Sequence, residues 1–458
     1  MLDLNAVARE LADYLKKQNA DYIEAHLEES QTSNVSYRGK NLEQVGKSTA
    51  AGGNIRAMVQ GGWGFVSFNR FDNLQSKVAQ AVAQARFVGK EKSQLAEVPV
   101  IVDEVAAKIK ENPAAVTLAE KKRLLDEYNE TMWTTPGIQT SNIRYGDNHK
   151  KTVFLNSRGS YITQERADSI LYAVAIAARN GEVQQCGISV GSRDDFKPLR
   201  RFHGEIKQLA AKAVEMLAAP VIKGGQYTVV LDPVLAGVFV HEAFGHLSES
   251  DFVYENPQVR ELMQLGKTFG QSILNIIDSA TIPNLRGSFK YDDEGTPAVN
   301  NYLIREGKLV GRLHSRETAA KMGEKPSGNA RAISYRFPPI VRMTNTYIEP
   351  RDCKFEDMIA DIKEGVYCKN WYGGTTSMEM FTFSSGETYL IRNGKVAGMA
   401  RPVMLSGNVF TTLMSIDAIG NDLEMNQGGG CGKGGQSPLP VSNGSPHIRI
   451  QNCLVGGK

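Results

Sequence analysis

Cysteine is scarce in this 458-residue chain: the five thiols, Cys186, Cys353, Cys368, Cys431 and Cys453, are odd in number and unclustered. That pattern excludes a disulfide framework and leaves reduced thiols, each needing a packing or a chemical role. An excess of one charge is missing too. With 53 basic and 50 acidic side chains the formal charge is only +3, which provides no dedicated polyanion-binding surface and argues against a nucleic-acid partner. Apolar runs are short. SILYAVAIAA and VVLDPVLAGVFV are too brief or too interrupted to cross a bilayer. The opening MLDLNAVARELADYLKKQ spaces charged and apolar residues as an amphipathic helix does, without the apolar centre of a signal peptide. No membrane partner and a cytoplasmic location are therefore expected. There is no short-period repeat, and RETAAKMGEKPSGNARA lacks the order of a nucleotide-binding Walker loop.

What is present, 41% hydrophobic and 22% charged residues, suits a folded protein with more than one core. Helical spacing predicts helices over residues 6–17, from Asp72 to about Arg86, between Pro113 and Met132, and over 203–219. YIEAHLEE and TSNVSYRG read as two extended segments, and GGNIRAMVQGGWGFVSFN as a hairpin punctuated by glycine. After Thr135, strand-sized pieces separated by Gly, Asn and Asp imply an antiparallel sheet with helices on one face. Pro220 followed by Lys223, Gly224 and Gly225 marks a boundary. The expectation is an α+β protein: an N-terminal unit, 1–220, of helices and antiparallel sheet, and a β-rich C-terminal unit, 221–458.

HEAFGH, residues 241–246, carries the strongest chemical signal. Asp232 reads as an N-cap and Pro233 as the first helical residue, so a helix carries His241 in its body. Residues four apart lie about 40° apart around a regular helix, which aims the usual zinc-protease pair at one ion. His241 and His246 are five apart, about 140° around that helix. Either a local π-type widening or a helix ending at Gly245 would bring the rings together. Two ordinary histidines, His246 satisfying a helix C-terminus, is the competing reading.

A catalytic zinc takes three protein ligands and a water. The third could come from His149, His203, His314, His447, a cysteine, or Glu249 or Asp251. Cys431 stands out because six of the eight residues Gly428–Gly435 are glycine, which gives no packing reason for a buried thiol. Beside a metal, Glu242 would be the general base. Lys433 or Arg342 would serve an oxyanion or a peptide carboxylate. The acids 292–294 in KYDDEGTPA read as a turn or solvated loop, with cleft lining as the alternative.

The motifs HEAFGH-LSESD, YDDEGTPA, LHSRETA, SGNARA, RMTNTYIEP and CGKGGQSPLPVSNGSPHIRI occur in this order. In them the chain resembles the TldD/PmbA family of metallopeptidases, more closely its TldD-like branch, weakly before Thr135 and strongly from Val229 onward. The resemblance implies that His241, His246 and Cys431 bind one Zn2+ and that Glu242 is catalytic. It implies a cytoplasmic protease of unstructured peptides, working as a homodimer or as a heterodimer with a related subunit. LSESD departs from the glycine-bearing segment of better-known members, which bears on substrate contacts there. Two other classes compete: a noncatalytic peptide-binding or assembly subunit with a structural metal, and a metal-free enzyme with Cys431 as nucleophile, for which the sequence offers no obvious paired base.

Overall fold

The computed structural model describes residues 3–89, 93–377 and 379–457. Helix α1 (Leu4–Lys16) begins where the Asp3 carboxylate accepts hydrogen bonds from the amides of Asn5 and Ala6, and it buries the stripe Leu4, Ala8, Leu11 and Leu15. The rest of the first half is built on very long strands. In chain order come β1 (Tyr22–Arg38), β2 (Asn41–Val59), β3 (Gly62–Phe68), α2 (Leu74–Val88), β4 (Val102–Val105), α3 (Leu118–Trp133), β5 (Ile138–Asn156), β6 (Tyr161–Arg179), β7 (Glu182–Arg193) and α4 (His203–Met216). The two extended segments read before Gly39 are one 17-residue strand. The sheet order is β3-β2-β1-β5-β6-β4, with β7 also on β6, and every pairing is antiparallel except β4 with β6. The α+β class read from the sequence is the observed one.

Period-two alternation gives this sheet two different buried faces. One face of β1 serves two cores along its length: Ile23, Ala25 and Leu27 join the core under α1 and α2, and Val35 and Tyr37, farther along the same face, join the core under α3 and α4. Glu24 and Glu28 alternate with the first of these, point the other way, and are nevertheless buried. Glu24 accepts from Arg56 at 2.8 Å, and Arg56 also donates to Glu294 of the second half at 3.2 Å. Glu28 accepts from Lys150 at 3.0 Å, and the same ammonium reaches the Ile333 carbonyl. Each of these buried charges is thus paired and hydrogen-bonded, the condition under which burial is tolerated.

The acids 292–294 take part in this contact. They form a turn, but a buried one: Asp292 accepts hydrogen bonds from the amides of Glu294, Thr296 and Ala330, and Glu294 accepts from the Arg316 amide. The expected solvated loop is therefore corrected, because the turn satisfies its own backbone while the other half of the chain covers it.

The second half opens with β8 (Gly225–Leu231) and α5 (Pro233–Val240). β8 pairs with Glu364–Ser377 and with Ile448–Gly457; the pairings continue through Val403–Asn408 and Met380–Arg392 and return to Glu364–Ser377, closing a ring of five strands. A separate six-stranded sheet contains Asn345–Ile348, Ser442–Ser445 and Glu424–Asn426. Helix α5 packs against the ring strand Glu364–Ser377 and against Ser442–Ser445 of that sheet.

Glycine makes the second contact possible. A Cβ on Gly237 would lie 2.9 Å from the Gly444 nitrogen, closer than side chains approach backbone. Gly237→Ala gains up to about 1 kcal/mol of helix propensity but forces overpacking worth about 1–3 kcal/mol. The expected outcome is a net loss of up to about 2 kcal/mol after the full propensity gain, read from the midpoint of urea unfolding; a raised midpoint would contradict this packing.

Candidate metal centre

The start of α5 is fixed from two directions. The Asp232 side chain accepts the Leu235 amide at 2.9 Å, as an N-cap does, and also the Asn370 amide at 3.0 Å, which ties the helix to the ring strand. Burial raises the Asp232 carboxyl to about 6, against the lowering effect of these two amides. The helix then delivers its C-terminal end to the motif. Residues His241–Gly245 form a single π turn in which the His246 amide donates to the His241 carbonyl, and a short 3-10 turn, His246–Ser248, follows.

Of the two routes open to the sequence, the chain takes the widening. An i→i+5 turn sets His246 above His241, where a regular helix would turn it away. The ring centroids are 5.4 Å apart with planes at 80°. Gly245 has ordinary helical torsions, φ −58° and ψ −51°, so it is not needed as a helix stop. Its lack of a side chain leaves room for Met343, whose sulfur a methyl group there would strike.

Cys431 arrives from the far end of the chain on the short strand Gly430–Lys433, paired with Gln436–Pro440. Ligand atoms of His241, His246 and Cys431 all lie within 4.8 Å of one another. Cys431 Sγ is 3.6 Å from His246 Nε2, and Glu242 is 3.9 Å from the same nitrogen. The other candidate ligands are engaged elsewhere: His149 with Glu165, His203 with Glu127, His314 with Thr318 and Glu324, and His447 with Asp422.

Glu249 and Asp251 stand behind the histidine instead of beside the sulfur. Glu249, almost fully buried, accepts from His246 Nδ1 at 3.0 Å and from Lys433 at 3.1 Å. Lys433 also holds Asp251 at 2.6 Å and the Val341 carbonyl at 2.9 Å. With Nδ1 directed at Glu249, Nε2 is the nitrogen that faces Cys431, the orientation an outer carboxylate commonly fixes. Arg342 is buried and donates to the carbonyls of Cys431 and Gln436. Neither cation is positioned as an oxyanion donor; both brace the loop that carries the thiol. Glu249 lies three residues after His246, a spacing that helical neighbours share.

Burial would raise the Cys431 thiol, but hydrogen bonding and charge from His241 and His246 prevail and bring it down to about 5. Burial would lower His246, but Cys431 and Glu249 raise it to about 10. Without a metal, the thiol and the imidazole thus favour each other's charged forms. Nδ1 of the buried His241 has no hydrogen-bond partner among the described residues, the mark of a group the protein by itself leaves unsatisfied. Two imidazoles and a thiolate are a donor set that suits zinc.

Models of the PmbA/TldA metallopeptidase match this chain in three parts: domain 1 over residues 24–85, the central domain over 111–219 and the C-terminal domain over 224–457. A metalloprotease of Synechocystis sp. is 44% identical over 440 residues, covering 96% of this chain and 95% of its own. A zinc metalloprotease TldD homologue of Saccharolobus solfataricus is 33% identical over 329 residues, 70% of this chain and 72% of its own. The crystal structure of TldE from Thermococcus kodakarensis shares the fold, with a TM-score of 0.77 at 16% identity over 99% of this chain and 100% of that one.

The thiolate can be titrated directly. In metal-stripped protein, the 240 nm absorbance of wild type minus Cys431→Ser should appear as pH rises through about 5, since a lowered thiol pKa leaves the thiolate present above it. His246→Gln should move the midpoint upward by more than a pH unit. A wild-type midpoint near 8.5, the value of a free thiol, would show that the pairing does not exist.

Proposed function

This chain belongs to the TldD/PmbA family of metallopeptidases, and we propose that it hydrolyses unfolded or flexible peptides at a Zn2+ ion held by His241, His246 and Cys431. The observation that carries this reading is the convergence of those three donors within 4.8 Å, with Glu242 alongside. Zinc bound there would polarise the scissile carbonyl and make a water acidic enough to attack near neutral pH. Glu242, about one-third exposed, takes the proton of the attacking water and passes it to the departing amine. Glu249 keeps the proton on His246 Nδ1 and so keeps Nε2 available.

Glu242 borders two recesses, one toward His241 and one toward His246 and Lys433. A peptide held in extended form across that edge would place a bond beside the carboxylate, the mode by which strand-like ligands pair with a sheet edge. The same reading keeps the division at 220/221 as two units. It also keeps a cytoplasmic location, supported by five free cysteines, and assembly as a homodimer or with a related subunit.

One specific observation favours a second reading. His246 supplies the base that the sequence did not reveal for a Cys431 nucleophile, 3.6 Å from the sulfur. That reading leaves His241 and Glu242 without a task, and it predicts turnover that survives thorough chelation. A noncatalytic subunit with a structural metal predicts zinc without turnover.

Glu242→Gln separates these. On the metallopeptidase mechanism kcat falls about 10²- to 10⁴-fold while zinc content, measured by elemental analysis, stays at one per chain. Cys431→Ser should lose zinc as well as turnover. Undiminished hydrolysis by Glu242→Gln would remove the carboxylate from the mechanism.

A further inference from the structure

The side of the site facing His241 and Glu242 opens into a recess of about 220 Å³. We propose that this recess receives one bulky apolar side chain of the peptide being cleaved, with Trp371 and Tyr372 at its mouth and Asn443 as its polar anchor. The proposal rests on the peptidase reading above and adds the class of residue that the enzyme selects.

Chemistry of the walls is the first support. Val174 and Ile188 come from β6 and β7 of the first half, and Val234 and Val238 from α5 of the second. Val234 and Val238 are four apart, and Val238 precedes His241 by three, so this apolar face runs up the helix to the proposed metal ligand. Apart from the proposed catalytic Glu242, the side chains lining the recess carry no acid, lysine or arginine. The recess on the other side of Glu242 is unlike it, being lined by Glu249 and Lys433 together with Leu247 and Phe252. An acidic side chain would lose its water in the first recess and meet the Glu242 carboxylate with no lysine or arginine to pair with.

Size is the second. Pockets that take whole small molecules run to about 300–1,000 Å³, so this one suits a single large side chain. The third support is what remains unsatisfied there. Asn443 is 4% exposed, and its Oδ1 has no hydrogen-bond partner among the described residues. A donor from the occupant would satisfy it, either a peptide N–H or the polar tip of an aromatic residue. Trp371 and Tyr372, 43% and 52% exposed, are adjacent in the chain. Large aromatic surface left in water beside a cleft marks a place where something binds.

The test uses the zinc-loaded full chain and a set of flexible peptides identical but for one residue, Phe, Leu, Ala or Glu, with the varied position moved along the peptide. At one position relative to the cleaved bond, kcat/KM should be at least tenfold higher for Phe or Leu than for Ala, with Glu lowest. Calorimetric binding of the same peptides to Glu242→Gln, which needs no turnover, should follow the same order. Val174→Trp, which fills the recess from β6, should reduce the Phe-to-Ala ratio at least tenfold; Ile188→Trp fills it from β7 should the first variant fail to fold. Hydrolysis and binding that are flat across the series, or a ratio unchanged in the folded filling variant, would overturn the proposal and leave the peptidase reading standing. No hydrolysis of any peptide by zinc-loaded enzyme would instead overturn the peptidase reading, and this inference with it.

Discussion

One backbone hydrogen bond out of helical register, from the His246 amide to the His241 carbonyl, sets where both imidazoles point. A π turn is less favourable than the α-helix on which it is built and persists where its surroundings hold it. Here they do so from both ends. Asp232 and Pro233 fix the first turn of α5. Beyond the motif, the Ser248 hydroxyl donates to the Phe244 carbonyl at 2.9 Å and the Glu249 amide to the His246 carbonyl at 3.3 Å. Phe244 itself is in the core, against Phe269. The extra residue between the histidines is thus absorbed in one turn, and the chain on either side stays in regular contact with its neighbours.

Once the rings converge, the electrostatics follow from what is buried with them. Glu249 has almost no contact with solvent, and a lone carboxylate there would be costly. Lys433 and His246 flank it, and Asp251 shares the lysine. Burial would raise the Glu249 carboxyl, yet hydrogen bonding and charge from His246 and Lys433 leave it lowered. The chain Asp251–Lys433–Glu249–His246 links the LSESD segment to the glycine-rich segment that bears Cys431. The LSESD segment therefore braces His246 through Glu249, and its Leu247 and Glu249 also line the recess between Glu242 and Lys433.

Much of this was legible in the sequence, for identifiable reasons. The cap at Asp232, the proline after it and the spacing of HEAFGH are local features, and local features narrowed the geometry to two routes. The choice between them was not local, and neither was the reason for Gly245, whose missing side chain leaves room for Met343 about a hundred residues away. The acids 292–294 form the turn that the sequence implies but not a solvated one, because nothing local reveals that Arg56 and the Arg316 amide meet Glu294. Lys433 and Arg342 looked like free cations for the same reason. The wall residues Val174 and Ile188 carried no signal, since β-branched residues in strands are ordinary core formers.

That last blindness has a physical origin in how the halves meet. Arg286 donates to Asp168 on β6 at 3.0 Å and to the carbonyls of Gln427 and Gly429 at 2.9 Å each. The Ser189 hydroxyl of β7 donates to the Gly428 carbonyl at 2.8 Å. The glycine segment leading to Cys431 is therefore fastened to the sheet of the first half, although the strand that bears the thiol belongs to the second. A methyl group on Gly428 would collide with the Ser189 backbone, and one on Gly191 with the Gln427 backbone, so glycines on both partners allow the approach. The position of the third donor is consequently a property of the whole chain. The segment bearing Cys431 is held by the first half, through Ser189 on the Gly428 carbonyl, and by its own half, through Arg342 on the Cys431 carbonyl and Lys433 on the Val341 carbonyl, so contacts from both sides set where the sulfur lies.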